Sequence, residues 1–122
     1  MGKFNVVPYD EIFTSHVNVF MKFYNDELEI AHNGVETFDQ VKKRVLGIVE
    51  HVTQKHPDEN VVLVTHMDPI KAMLSTIVDL SPTNLFELII ANASLNIFRE
   101  KEQKFSLSGI NVMHPSRFDQ GW

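Results

Sequence analysis

The chain has 122 residues and a mass of 14.0 kDa; 43% of it is apolar and 22% charged, with 11 Lys and Arg against 16 Asp and Glu for a net charge of −5. The complete lack of cysteine excludes disulfide scaffolds, thiol nucleophiles and thiolate zinc sites, so any chemistry must come from histidines, carboxylates or hydroxyls. The acidic balance, with no basic run longer than Lys42-Lys43-Arg44, argues against nucleic acid and anionic membranes as partners.

No repeat, low-complexity tract or linker divides the chain, and residues 1–122 read as one domain. Neither an apolar leader behind Met1-Gly2-Lys3 nor an apolar stretch of about 20 residues is present, which predicts a cytoplasmic protein. Phe4 to Val7 is a short apolar run stopped by Pro8, as in a strand near a sheet edge. Ile12, Phe13, Val17, Phe20 and Tyr24 recur at helical spacing behind Asp10 as a cap, predicting a helix over about 10–25. Residues 26–35, with Asn33-Gly34, carry no period and read as a loop.

Thr37 and Gln40 form a capping box, and Phe38, Val41, Val45, Ile48, Val49 and Val52 make one helical stripe behind it. His56-Pro57-Asp58 ends that helix. The unbroken apolar run Val61 to Val64 predicts a strand buried on both faces of a mostly parallel sheet, with Val62 and Leu63 inaccessible. Asp68 as N-cap and Pro69 as first helical residue open a helix with the stripe Ile70, Met73, Leu74, Ile77 and Val78. Ser81-Pro82 starts a shorter helix over Asn84 to Leu88. Ile89 to Phe98 and the alternating Phe105 to Ser108 predict two late strands paired as an antiparallel hairpin, followed by an irregular tail, 112–122, with Phe118 and Trp122.

His66 is the chemically suggestive residue, since it falls between the end of the 61–65 strand and the start of the next helix. Ligands of open α/β sheets sit at that edge, where free amides and the positive end of the helix dipole favour an anion, most simply a phosphate. A histidine there can donate to a phosphate oxygen; a histidine that merely caps the loop is the plainer alternative. His16, His32, His51 and His56 carry no pattern that points to a site. His66-x-Asp68 lacks the further ligands a metal centre needs, so neither a metal nor a cofactor is expected. No Gly-x-Ser-x-Gly elbow supports a serine hydrolase.

Val62-Leu63-Val64-Thr65-His66-Met67-Asp68-Pro69-Ile70-Lys71-Ala72 resembles the second histidine motif of the histidine phosphatase superfamily, also called phosphoglycerate mutase-like. Gly34-Val35-Glu36-Thr37 leading to Arg44 resembles that family's Gly-Glu-Ser segment. Asn92-Ala93-Ser94-Leu95 resembles its Asn-x-Ser-Ile strand, and Phe105-Ser106-Leu107 with Asn111 and His114 its closing hairpin. The resemblance implies an α/β fold: a truncated phosphoglycerate mutase-like layered fold, with a mostly parallel sheet flanked by helices and a C-terminal antiparallel hairpin. It also implies a phosphatase or phosphomutase chemistry on a phosphomonoester, with His66 and Glu11 (in Tyr9-Asp10-Glu11) as catalytic residues and His66, Met67 and Asn92 at the phosphate.

The family's Arg-His-Gly, which carries the nucleophilic histidine, is not matched: none of Arg44, Arg99 and Arg117 precedes a histidine. Met67 also stands where the family usually has glycine. By this comparison the chain resembles the C-terminal part of such a domain, inactive alone, and expected either as a homodimer or with a partner supplying the N-terminal half. The alternative is a non-catalytic, self-associating α/β module that binds an anion.

Overall fold

The computed structural model describes residues 17–26 and 34–113. The expectations for Phe4–Val7, Asp10, Glu11, Ile12, Phe13, His16, His32, Asn33, His114, Phe118 and Trp122 lie outside the described residues.

Among the described residues, four helices precede a hairpin. Helix α1 spans Val17–Tyr24, α2 Phe38–Lys55, α3 Met67–Ser75 and α4 Pro82–Glu87; strands β1, Leu95–Lys101, and β2, Lys104–Val112, follow. The start of α2 is built as its sequence requires. Thr37 accepts from the Gln40 amide, and the Gln40 side chain accepts from the Thr37 amide at 2.8 Å, so two of the orphan donors of the first turn are satisfied reciprocally. Ser81 caps α4 in the same manner, accepting from the Asn84 amide, with Pro82 at the first position where its missing N–H is harmless.

The core is helical. Tyr24, Phe38, Val41, Val45, Ala72, Met73 and Leu85 are buried together, and Phe98 and Phe105 of the hairpin pack against them. Phe23 and Tyr24 both present edges to Phe38, at centroid distances of 5.7 and 5.4 Å, the tilted geometry that aromatic quadrupoles favour. Only the first half of the α2 stripe is buried; Ile48 is exposed and Val49 and Val52 half-buried.

The hairpin forms as its alternation predicts. Its strands pair antiparallel from Lys101 opposite Lys104 out to Leu95 opposite Val112, with irregular register around Ile97. Glu102 and Gln103 turn the chain at φ 53° and 64°, the left-handed pair that a two-residue hairpin loop needs to match strand twist. Glu100 accepts from the Gln103 amide at 2.6 Å and secures the turn.

Two expectations are corrected. Residues 61–65 form no strand, and the described sheet has only the two antiparallel strands of the hairpin. Val62 is 81% exposed, Leu63 50% and Val64 97%. A continuous apolar run is buried only when strands flank it and layers cover it, and β1 and β2 pair with each other instead. The start of α3 also differs. His66, not Asp68, is the N-cap, and Pro69 is the third helical residue. The buried face is Pro69, Lys71, Ala72, Met73 and Leu74, while Ile70 and Ile77 are half-buried and Val78 is exposed.

Candidate functional site

His66 leaves the exposed 61–65 segment in extended conformation, φ −135° and ψ −173°, and hands the chain to α3 without a side-chain capping bond. Its imidazole is exposed and so available to a ligand. Helix geometry leaves the amides of Met67 and Asp68 without intrahelical acceptors, and Pro69 offers none. An exposed imidazole and two amides at the positive end of α3 therefore share one corner of the fold.

Asp68 faces inward from this corner. Its Oδ1 accepts from the Tyr24 hydroxyl at 2.7 Å, and the same hydroxyl accepts from the Lys71 ammonium at 3.1 Å. Lys71 also donates to the Leu85 carbonyl and lies 5.0 Å from the Tyr24 ring centroid. Only 1% of Lys71 is exposed. Burial pushes its pKa down, and the Asp68 charge pushes it partly back up. Neither Tyr24 nor Lys71 was recognisable as a site neighbour from the stripe pattern. The available signal was spacing: Lys71 lies three residues before Leu74 and after Asp68, which puts it on the buried side of α3 next to a carboxylate.

The block from Gly34 to Thr37 forms the corner before α2. Glu36 takes two parallel hydrogen bonds from Arg44, each 3.0 Å, the bidentate fork that guanidinium and carboxylate geometry favours. That hydrogen bond and the carboxylate charge raise the pKa of Arg44 further. Gly34, at φ 72°, makes the turn into it.

Asn92 lies exposed in the turn 92–93, with Ala93 at φ 55°. The turn is held from behind. Ser94 donates to the Ala91 carbonyl at 2.6 Å, and Asn96 donates to Ser94 at 3.2 Å while accepting from the Asn111 amide at 2.9 Å. Asn111 in turn grips residues 89 and 91 with its side chain. No hydrogen bond joins Asn92 to His66, and Glu11 is outside the described residues. His51 and His56 are exposed on α2 and at its end, where His56 contacts Glu59 at 2.8 Å. Among the described residues no three His, Asp or Glu side chains gather into a group that could hold a metal ion, and no helix is long and apolar enough to cross a membrane.

The chain is 22% identical over 111 residues to phosphoserine phosphatase 1 of Hydrogenobacter thermophilus, covering 91% of this chain and 53% of that protein. It is 33% identical over 100 residues to a metal-independent phosphoserine phosphatase of Arabidopsis thaliana, covering 81% of this chain and 40% of that protein. The chain thus spans about half the length of these curated relatives or less. No solved structure matches. The sequence profile of the histidine phosphatase superfamily (branch 1) matches residues 1–113, nearly the whole chain, and the protein belongs to that superfamily.

Proposed function

We propose that this chain supplies the phosphate-holding half of a phosphomonoester phosphatase, with His66 as the residue that binds and polarises the phosphoryl group. The observation that carries the reading is the exposed, uncommitted imidazole at the start of α3, inside the block that resembles the family's second histidine motif. His66 donates to a non-bridging oxygen, the amides of Met67 and Asp68 add donors, and Asn92 supplies a further amide. All of these strengthen as negative charge develops on the phosphoryl oxygens. Glu11 protonates the leaving alcohol oxygen.

Transfer through histidine needs a second, nucleophilic imidazole in line with phosphorus, because a ring donating its proton to an oxygen is not also the free nucleophile. No Arg-His pair occurs in these 122 residues, so that group comes from another polypeptide or from a longer form of this one. The names of both relatives make phosphoserine the first substrate to assay. The purified chain should release no phosphate from phosphoserine or an aryl phosphate alone; adding a polypeptide with the family's first half should restore turnover, and His66→Ala should remove it again. Hydrolysis by the chain alone would overturn the division of roles.

A second reading, a self-associating module without turnover, is favoured by the exposure of Val62 and Val64. The sequence Val62-Leu63-Val64 is symmetric about Leu63, so two copies pairing antiparallel there would each cover the other's apolar run and satisfy its backbone groups. Sedimentation at micromolar concentration decides it: a 14.0 kDa species rules this reading out.

A further inference from the structure

Among the described residues, Lys71 is the charged side chain sealed in the core. Its hydrogen bonds run in one direction: the ammonium donates to Tyr24 Oη, and Tyr24 Oη donates to Asp68 Oδ1. A buried ammonium persists only where nearby groups offset its desolvation, and here they are the Leu85 carbonyl, the Tyr24 ring and hydroxyl, and Asp68 beyond them. No buried side-chain nitrogen or oxygen among the described residues is left without a partner. The buried members of the network are therefore satisfied within the fold.

Its importance lies in where Asp68 stands. A carboxylate in the first turn of a helix satisfies the positive dipole end and repels any other anion that approaches it. Asp68 is the second residue of α3, two after His66, so an Asp68 turned outward would compete directly with a phosphate. Instead it is turned toward Tyr24.

We propose that Lys71, acting through Tyr24, draws in and offsets the charge of Asp68, leaving the α3 end beside His66 open to a phosphate. Tyr24, Asp68 and Lys71 are positioning residues in this arrangement, and the inference rests on reading His66 as the phosphate ligand.

Calorimetric titration of the full chain with inorganic phosphate tests it through a charge cycle. Lys71→Met preserves side-chain length but leaves Asp68 uncompensated, and should weaken binding about fivefold. Asp68→Asn keeps an acceptor for Tyr24 and removes the repulsive charge, and should tighten binding about two- to fivefold. The double variant should return to within about twofold of the parent. A merely structural network predicts the opposite pattern: weaker binding for Asp68→Asn, and a double variant no better than Lys71→Met. Either result overturns the proposal. If circular dichroism shows Lys71→Met unfolded, the direction of the Asp68→Asn change decides alone. A parent chain that gives no phosphate response, or the same response after His66→Ala, overturns the reading of the site and this inference with it. A parent that binds through His66 while the charge variants leave affinity unchanged overturns the inference only.

Discussion

The side chain of Asn111 clasps Ala91 from across the hairpin: its Oδ1 accepts the Ala91 amide at 2.7 Å, while its Nδ2 donates to the Ile89 carbonyl at 2.6 Å. Asn111 itself sits at φ 53°, a region that asparagine tolerates better than most residues. Asn111→Gly keeps the backbone but loses both bonds and should cost about 1–3 kcal/mol. Asn111→Ala loses the same bonds and adds the left-handed strain, so it should be the less stable of the two by urea denaturation. Equal losses would show that the backbone at 111 carries no strain.

The two devices at the start of α2 should separate in salt. Thr37→Ala removes a capping bond and should cost about 1 kcal/mol whatever the ionic strength. Arg44→Ala breaks a fork whose side chains stay 51% and 40% exposed, and should cost about 1 kcal/mol or less, shrinking as salt screens the pair. Thermal melts at low and high salt read the difference.

Replacing both Val62 and Val64 by serine tests whether the exposed run is an association surface. In an isolated chain these side chains face water, and the change should move stability by less than about 0.5 kcal/mol. Self-association seen in the parent by light scattering should fall. If the double variant associates as the parent does, copies meet elsewhere.

Lys71 gives the protein a slope in alkaline solution. Its folded pKa lies below the ordinary lysine value of 10.5, so between the two the unfolded chain holds a proton that the folded chain has released. Stability linked to this residue therefore rises with pH across that window, is complete above 10.5, and is lost as pH falls through the folded value. Lys71→Met lacks the effect. The stability difference between parent and variant, followed by denaturant titration toward pH 10.5, should shift in the parent's favour; a difference independent of pH would contradict the burial of an ammonium.

Local signals were legible wherever one short segment determines the outcome. Thr37 with Gln40, Ser81 with Pro82, and the alternation at Phe105 to Ser108 each specify structure through neighbours a few residues away, and each appears where the sequence places it. The run at 61–65 depends on what lies beside it, and a residue string does not name its neighbours. At α3 the prolyl signal at Pro69 misled by two positions, because a proline is tolerated through the whole first turn, where its N–H has no partner in any case. That His66 stands at the start of α3 was legible from order alone, whereas the strand expected before it is absent. The Tyr24 and Lys71 bonds span 44 and 47 residues and join polar groups that amphipathic patterning sorts to the surface, so they became visible only in three dimensions.

The left-handed pair at Glu102 and Gln103 also bears on the order in which the chain assembles. A two-residue reversal closes on the scale of about 1–10 μs, far sooner than contacts that must bring Tyr24 to Asp68 of α3 across a separation of 44 residues. Strands β1 and β2 can therefore zip up first, and Asn111 arrives already presented to capture residues 89 and 91. Substituting Asn-Gly for Glu102-Gln103 would relieve backbone strain at both positions. It should accelerate folding if the hairpin is part of the nucleus, and otherwise only slow unfolding.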